Sequence, residues 1–415
     1  MVAEREVDFL IIGGGHAGYS CARALRESGA VGSILLVSRE PDPPYDRTTC
    51  SKGYLARAIA PESVLLCPPE WWAEHEIELL TRTSALKLSA EDRRAALSNK
   101  QAVGFGAALV ATGAMVRRLR VEGGQLGGIH YLRALGNAEA IRRDAEQAED
   151  VVLIGGSYIG TEVAATLTAL GKRCTIVMQE QVVLERTFGL EVGRGIQRLL
   201  EARGITIHGD EEVEAFVGDD DHVSAVRTRR GLELPAQAVV VGAGVLPDVQ
   251  LARGAGLELG ETGGIKVDAR LETSAPGIFA AGVVAEFESK VHPAGRLRVE
   301  HWEVAAAQGR RAAAAMRGGE LPAEEIPYFF SDLHDWLSYE YIGPAYQWDQ
   351  VLIDGSIEAG RFSAWYLRGG TVAAVLAAGR PDELDRGRRL FGQPVDPSEL
   401  AGQPARASSA RPTSA

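Results

Sequence analysis

Residues 8–18 read DFLIIGGGHAG, and the fold is predicted outward from this stretch. Residues 9–12 form an unbroken apolar run, which is typical of a strand buried on both faces of a parallel sheet. Gly13, Gly15 and Gly18 then follow the spacing G-x-G-x-x-G and lead into a helix-like segment. In order, such glycines permit a tight turn, close approach of the backbone to a pyrophosphate, and close packing of helix on strand. The stretch therefore predicts a strand–turn–helix unit that binds a dinucleotide.

Two later segments belong to the same predicted domain. The strand SILLVSRE (33–40) ends in Glu40, about 20 residues beyond the glycines, where an acid that binds the ribose is expected. A further buried strand, AALVATGA (107–114), carries Ala111, Thr112 and Gly113 at its end.

The strand–turn–helix pattern is repeated in VVLIGGSYIGTEVAA (151–165). Here Ser157 takes the place of the middle motif glycine, and its small side chain still permits close approach of a cofactor. The next strand, CTIVM (174–178), ends near Glu180. Two such loops indicate two dinucleotide sites on two domains; the alternative is a duplicated fold with one inactive site.

The remaining segments complete the predicted architecture. A buried strand within 238–244 closes the second domain, and GIFAAG (277–282) returns the chain to the first, followed by an Ala-rich helix within 298–316. Residues 326–395 are rich in aromatic residues and short strands, which predicts an antiparallel sheet. The fold class is therefore α/β, with two Rossmann-like dinucleotide-binding domains, one inserted in the other, plus a small C-terminal α+β domain.

Composition narrows the partners and the compartment. The 415-residue chain has a net charge of −12, which argues against a nucleic-acid partner. No apolar run approaches the ~20 residues that cross a membrane. The four cysteines lie far apart without metal-ligand spacing, so we expect no metal site, reduced thiols and a cytoplasmic protein.

Eight motifs carry a resemblance to a known family: GGGHAG (13–18), PYDRTTCSKGYL (44–55), ATGA (111–114), GGSYIGTEVAA (155–165), VVVGAGVLPD (239–248), TSAPGIFAAG (273–282), VEHWEVAAAQGRRAA (299–313) and PYFFSDLHDW (327–336). In these the chain resembles the pyridine-nucleotide-dependent flavoprotein reductases of the glutathione-reductase fold. Within them it is most similar to ferredoxin reductases of the rubredoxin and putidaredoxin type and to apoptosis-inducing-factor-like oxidoreductases.

The resemblance implies a domain organisation, two cofactors and a partner. It implies an FAD-binding domain at 1–115 and 247–322, an NAD(P)-binding domain at 116–246, a C-terminal interface or dimerisation domain at 323–398, and a disordered tail at 399–415. It also implies FAD, NAD(H) in preference to NADP(H), a small iron–sulfur electron-transfer protein as acceptor, and a homodimer.

The site residues follow from the same motifs. Lys52 matches the family lysine near flavin N5, and Glu162 matches its partner; a cation there favours the anionic reduced ring. The implied FAD contacts are Gly13, Gly15, His16, Ala17, Gly18, Glu40, Arg47, Lys52, Ala111, Thr112, Gly113, Gly282, Val283, Glu300, His301, Trp302 and Phe330. The implied NAD(P)H contacts are Gly155, Gly156, Ser157, Tyr158, Ile159, Gly160, Glu180 and Gly244.

Three positions depart from the family pattern. Val283 replaces an aspartate that bonds a ribityl hydroxyl, so FAD affinity should fall by about one or two decades. Thr48, Thr49 and Cys50 replace apolar residues. The acid that ends the second nucleotide-binding strand aligns with Met178, and Glu180 is expected to take its role, which favours NADH.

Two alternatives remain open. Ser51 is expected to cap a helix that begins at Lys52, with Thr49 as an equal alternative for the cap. Either would place Cys50 at a helix N-terminus and lower its thiol pKa. The chain would then be a single-cysteine NADH oxidase or peroxidase. With Val283 weakening FAD binding, it could instead be a non-catalytic redox-sensing or scaffold flavoprotein.

Overall fold

The structure is a computed structural model that describes residues 3–219, 221–289, 295–343 and 347–400. The chain divides into two compact units. Unit 1 holds Met1–Arg47, Pro61–Met115 and Val245–Pro327; unit 2 holds Thr48–Ala60, Val116–Gly244 and Tyr328–Ala415. Residues 48–60, which we expected in the FAD domain, thus group with the predicted NAD(P) and C-terminal domains. The three-domain division itself stays a prediction.

The helices of the described residues are α1 (His16–Glu27), α2 (Glu70–Glu74), α3 (Leu135–Gln147), α4 (Tyr158–Ala169), α5 (Glu185–Ala202), α6 (Gln250–Gly254), α7 (Trp302–Met316) and α8 (Pro381–Leu390). Short 3₁₀ turns occupy Arg47–Ser51, Pro61–Val64, Gly282–Val284 and Pro397–Glu399. The first strands are β1 (Ala3–Ile12), β2 (Ile34–Val37), β3 (Ile77–Leu80), β4 (Ala85–Ser89), β5 (Arg94–Leu97), β6 (Gln101–Val110), β7 (Ala114–Val116), β8 (Ile129–His130), β9 (Asp150–Ile154), β10 (Arg173–Val177), β11 (Thr206–His208) and β12 (Val213–Asp219). The later strands are β13 (His222–Thr228), β14 (Glu233–Pro235), β15 (Ala238–Val241), β16 (Val245–Pro247), β17 (Ile265–Lys266), β18 (Ile278–Ala280), β19 (Ala285–Glu288), β20 (Arg296–Leu297), β21 (Tyr328–Leu333), β22 (Leu337–Ile342), β23 (Gln350–Ser356), β24 (Arg361–Arg368) and β25 (Thr371–Ala378).

Unit 1 is built on a sheet in the order β3-β2-β1-β6-β5-β4, with β18 also paired to β6. The strands β3, β2, β1, β6 and β18 run parallel, and Ile12 pairs with Val37 on one side and Val110 on the other. Leu10, Ile11 and Ile12 of the predicted apolar run are buried, and Phe9 is half-buried. This register brings the carboxyl ends of β1, β2 and β6 together, which is where open α/β sheets bind ligands.

Unit 2 contains a second parallel sheet, in the order β11-β10-β9-β15-β8. Beside it lies the antiparallel sheet β12-β13-β14. As in unit 1, the carboxyl end of the first strand of the pattern, β9, leads into a Gly-rich turn and then a helix, α4. The expected repetition of the strand–turn–helix unit is confirmed.

The C-terminal part of unit 2 is an antiparallel sheet in the order β21-β22-β25-β24-β23. Its core is aromatic, and Tyr339, Trp365 and Tyr366 are completely buried. The predicted α/β class with a C-terminal α+β region is therefore confirmed. Of the predicted tail at 399–415, residues 401–415 lie outside the described residues, whereas Glu399 ends a 3₁₀ turn and Leu400 is buried.

One local prediction is wrong. No helix begins at Lys52: Arg47–Ser51 form a 3₁₀ turn, and the chain continues in turns. The Ser51 hydroxyl, expected to cap that helix, donates instead to the distant Glu162 carboxylate. Separately, none of the helices that the structure describes is both long and apolar enough to cross a bilayer.

Candidate active site

The first Gly-rich turn, in unit 1, is shaped by close approach of backbone to backbone. Gly13 has φ +126°, and a Cβ there would lie 2.1 Å from the Ala111 carbonyl oxygen. A Cβ on Gly18 would lie 1.9 Å from the Gly13 carbonyl oxygen, so only glycine lets α1 pack this close to β1. Gly15 faces open space, with nothing within 4 Å of a Cβ. The turn therefore leaves room for a group at the start of α1.

The second turn, in unit 2, repeats this geometry. Gly155 has φ +102°, and its Cβ would lie 2.5 Å from the Gly242 carbonyl oxygen. A Cβ on Gly160 would lie 1.9 Å from the Gly155 carbonyl oxygen, as at the corresponding glycine of unit 1. A Cβ on Gly156 would collide with the Met178 sulfur at 2.2 Å.

Ser157 is compatible with this turn because its backbone is ordinary. As the N-cap of α4 it has φ −81° and ψ −177°, almost the values of Gly15 at α1, −83° and −173°. A β-region backbone needs no glycine. No side chain caps either helix, and the Ser157 hydroxyl lies 3.4 Å from the Gly242 carbonyl instead. Both helix N-termini thus present backbone N–H groups and the positive end of the helix dipole, which suit a pyrophosphate.

Glu40, which follows β2, takes part in a hydrogen-bond network with other residues of unit 1. Its two carboxylate oxygens accept from Arg47 Nη2 at 2.7 Å and from the Tyr45 hydroxyl at 2.6 Å. The neighbouring Arg39 instead pairs with Asp248 at 2.7 Å. Glu40 and Arg47, which we expected at the FAD, therefore contact each other, while the adjacent arginine is held by an acid that the sequence analysis did not select.

At the end of β10, Met178 is buried and Glu180 is the acid nearest the strand end. Its carboxylate lies 2.5 Å from Arg186 Nε, but the arginine side chain is 77% exposed. An exposed pair of this kind is weak and easily exchanged. Glu180 is thus placed to accept a hydroxyl, with an arginine beside it.

The predicted pair of Lys52 and Glu162 is formed, with Nζ and Oε1 2.9 Å apart. Glu162 is 4% exposed and lies on α4, the helix that begins at the second Gly-rich turn. Its carboxylate also accepts from Ser51 Oγ and from Ser331 Oγ, the latter at 2.6 Å. Lys52 further donates to the Thr48 carbonyl at 3.1 Å. The arrangement keeps a cation at the start of a nucleotide-binding helix.

One aromatic ring lies beside this pair, and two others pack together at the start of α4. The Phe330 ring lies 5.7 Å from Lys52 Nζ, within the range of a cation–π contact. Tyr158, the first residue of α4, packs edge-on against Phe329 with 4.9 Å between ring centroids. Burial raises the pKa of the Tyr158 hydroxyl well above its usual value, so it stays neutral. Ile159 follows Tyr158 in the same first turn.

The other predicted FAD residues lie in unit 1. Gly282 has φ +80°, and its N–H donates to Gln308 Oε1 at 2.8 Å. Val283 is half-buried, and Arg298 Nη1 lies 3.4 Å from its carbonyl oxygen. The same arginine pairs with Glu300 at 2.8 Å. The position of the missing aspartate is therefore next to a guanidinium.

The start of α7 and the loop after β6 complete this part of unit 1. Trp302 opens α7, and its ring centroid lies 5.2 Å from that of His16, the first residue of α1. Burial lowers the pKa of His301 to about 3, so its imidazole is neutral at pH 7. Thr112 Oγ1 donates to the Asp248 carbonyl at 2.7 Å. The structure also describes Ala17, Gly113 and, in unit 2, Gly244, the last two with positive φ.

The geometry does not favour a redox role for Cys50. It is 2% exposed, and the helix whose N-terminus was to lower its pKa is absent. Burial raises the pKa of the thiols of Cys67 and Cys174 to about 11, so these too are unreactive at neutral pH.

Three residues of the site were not selected from the sequence. Ser51 and Ser331 donate to Glu162, and Thr166 Oγ1 donates to the Ser51 carbonyl at 2.8 Å. Thr166 lies one helical turn beyond Glu162 on α4, so the spacing of four could have indicated a shared face. No local signal connects residues 51, 162 and 331.

Both turns fit the group that their sequences imply. In each turn, a Cβ on the first glycine, Gly13 or Gly155, would collide with a backbone carbonyl. Each also has a helix N-terminus that no side chain caps and an acid near the end of the next strand. These features define a dinucleotide-dependent oxidoreductase fold.

Residues 7–309 match the pyridine nucleotide-disulphide oxidoreductase family, and residues 328–406 match a reductase C-terminal domain. The chain belongs to this family, and it is an FAD-dependent NAD(P)H oxidoreductase.

Two relatives and one solved structure illustrate the similarity. The ferredoxin reductase subunit of the 5,5'-dehydrodivanillate O-demethylase of Sphingobium sp. is 33% identical, over 95% of this chain and 96% of its own. Putidaredoxin reductase of Pseudomonas putida is 33% identical, over 95% of this chain and 94% of its own. The covalent complex of putidaredoxin reductase with putidaredoxin contains a chain that is 32% identical, with a TM-score of 0.90 over 95% of both chains.

Proposed function

We propose that the chain oxidises NADH through FAD and passes the electrons to a small ferredoxin-type iron–sulfur protein. FAD, when bound, accepts the hydride of the nicotinamide and gives up electrons singly. The relatives named above are ferredoxin reductases, and one of the solved structures is a complex with the iron–sulfur protein putidaredoxin.

The observation that carries the proposal is the buried Lys52–Glu162 pair at the start of α4. A lysine held charged beside a nucleotide-binding turn stabilises negative charge that develops on a cofactor ring. In the proposal Lys52 supplies that charge, and Glu162 holds the ammonium in place. Phe330 limits the access of water to it.

The proposed cofactor sites follow the two turns. Gly13, Gly15, His16 and Gly18 bind the FAD pyrophosphate, and the second turn, from Gly155 to Gly160, binds that of NADH. Glu180 accepts the hydroxyls of the adenosine ribose, which disfavours the 2′-phosphate of NADPH. The finer proposals are a cytoplasmic location, supported by the free thiols of Cys21, Cys67 and Cys174, and the homodimer that the family resemblance implies.

The test is an anaerobic titration of the purified flavoprotein with NADH while the visible flavin spectrum is recorded. Loss of the oxidised flavin absorption, followed by recovery on addition of a ferredoxin-type protein, is expected. Flavin that NADH cannot reduce would overturn the proposal. Reduced flavin that a small quinone reoxidises, but an iron–sulfur protein or one-electron dye does not, would overturn the proposed acceptor.

A further inference from the structure

The buried Glu162 carboxylate receives three donors from two separate parts of the chain. Lys52 and Ser51 come from residues 48–60, and Ser331 comes from β21 of the C-terminal sheet. Oε1 accepts from both Lys52, at 2.9 Å, and Ser331, at 2.6 Å, while Oε2 accepts from Ser51. The donors supply one cation and two neutral hydroxyls.

The C-terminal sheet fixes Ser331 firmly. It is 1% exposed and lies directly opposite Tyr339 in the β21–β22 pair. Tyr339 is fully buried, and burial raises the pKa of its hydroxyl, so it remains neutral and adds no charge. Ser331 therefore has little freedom to turn its hydroxyl away from Glu162.

Residues 48–60 are held to α4, the helix that carries Glu162, at two points. Ser51 donates to Glu162, and its carbonyl accepts from Thr166 Oγ1, one turn further along α4. Lys52 follows directly in the chain. The orientation of the lysine thus depends on α4, and that of the Glu162 carboxylate depends on β21.

We propose that Ser331 is a positioning residue through which the C-terminal sheet keeps the Glu162 carboxylate aimed at Lys52. The inference rests on the proposed function, in which Lys52 supplies positive charge to the reduced cofactor. It adds a role for the C-terminal sheet in the electrostatics of the reaction.

The physical reason is that the orientation of a buried carboxylate depends on the donors that its oxygens accept from. Lys52, from residues 48–60, and Tyr339, from β22, are charged or titratable groups that face Glu162. If Ser331 loses its hydroxyl, Oε1 keeps only the lysine, and the carboxylate can turn and hold the ammonium less firmly.

The experiment compares Ser331→Ala with Ser363→Ala in the FAD-loaded protein. Ser363 is also a fully buried serine of the C-terminal sheet, but its hydroxyl accepts from Arg380, at 3.3 Å, and does not contact Glu162. The readouts are the midpoint potential of the flavin and the pH profile of its reduction by NADH. Both readouts should differ from the wild type in Ser331→Ala, because Glu162 then holds Lys52 less firmly.

Three results would support the inference together. The midpoint potential of Ser331→Ala becomes more negative, flavin reduction at neutral pH slows by roughly three- to tenfold, and Ser363→Ala matches the wild type. Ser331→Thr, which retains a hydroxyl, restores the wild-type potential. Equal potentials and pH profiles in Ser331→Ala and Ser363→Ala would overturn it.

Two other causes of altered values, a folding defect in Ser331→Ala and a failure of the proposed function, can be distinguished from a failure of this inference. If Ser331→Ala does not bind FAD, Ser51→Ala removes the hydroxyl from Oε2 and should give the same shifts; wild-type values for it would overturn the inference. If NADH does not reduce the flavin of the wild type, the proposed function fails, and the midpoint potentials still decide whether Ser331 acts on the cofactor.

Discussion

At the scale of single residues, Val283 has the clearest expected effect on FAD. The residue is half-buried, and Arg298 Nη1 lies 3.4 Å from its carbonyl oxygen. From the family resemblance, an aspartate at this position is expected to bond a ribityl hydroxyl of FAD.

Val283→Asp should tighten FAD binding by about tenfold or more, because a hydrogen bond to a charged group contributes about 1.5–3 kcal/mol. The measurement is a titration of apoprotein with FAD, in which quenching of the flavin fluorescence reports binding. Val283→Asn is the matched neutral control and should gain less. An affinity that stays equal or falls in Val283→Asp would show that this position does not face the cofactor.

We expect Glu180 to favour NADH over NADPH, although Arg186 lies beside its carboxylate. Their contact is exposed on the arginine side, so Arg186 can leave the carboxylate at little cost. Glu180→Ala should raise KM for NADH by roughly tenfold while affecting NADPH less, since only NADH offers the hydroxyl that the carboxylate accepts.

Steady-state kinetics with both nucleotides and a dye acceptor would measure this change. Glu185→Ala serves as a control, because its carboxylate accepts from the backbone N–H groups of Gln181 and Val182 rather than facing Glu180. Equal increases in KM for NADH and NADPH would remove Glu180 from the ribose site.

At the scale of elements, the two strand–turn–helix units show which positions of the turn need glycine for their backbone conformation and which do not. Gly155 has φ +102° and lies close to the Gly242 carbonyl, whereas Ser157 has the extended backbone of any residue. The tolerance for side chains therefore differs sharply between positions two residues apart.

Gly155→Ala should weaken NADH binding at least about tenfold, because strain at positive φ costs about 1–3 kcal/mol before the clash is counted. Ser157→Gly should leave binding almost unchanged. Calorimetric titration with NAD⁺ would compare them, with retention of FAD showing that unit 1 is intact. Similar losses in both variants would contradict the assigned conformations.

Elements that depend on local pattern could be predicted from the sequence, and those that depend on distant partners could not. The turn at Gly13 and its repeat at Gly155 follow from glycine spacing, and both have the positive φ that the pattern requires. The helix expected after Ser51 does not form, because that hydroxyl donates to Glu162, more than a hundred residues away. For the same reason Ser331 has no signature of its own: residue 331 becomes relevant only when β21 is placed beside α4.

Arg310, Arg311, Arg386, Arg388 and Arg389 form short basic runs of the sequence, a pattern that favours docking of an acidic partner. The structure gives four of them partners within their own unit: Arg310 pairs with Glu325, Arg311 contacts the Pro322 carbonyl, and Arg386 and Arg388 contact Glu383 and Asp385. Charge runs in a sequence do not reveal such neutralisation, so these runs alone do not predict a docking surface.

At the scale of the whole molecule, acid should lower stability in two separable stages. Burial lowers the pKa of His301 from 6.5 to about 3, so the unfolded chain binds a proton that the folded one does not, and stability is lost as pH falls through this range. Hydrogen bonds lower the pKa of Asp8, and a bond from Arg5 lowers that of Glu78, from ordinary values of 3.8 and 4.5. These carboxylates stabilise the fold above those values, and their contribution is lost only below them.

The melting temperature of the FAD-saturated protein should therefore fall already between pH 6.5 and pH 4.5, and more steeply below. His301→Gln should flatten the first stage and leave the second, because glutamine takes up no proton in either state. If His301→Gln and the wild type lose stability in parallel above pH 4.5, a group other than His301 takes up the proton, and the neutral imidazole at the start of α7 is not what limits the fold in mild acid.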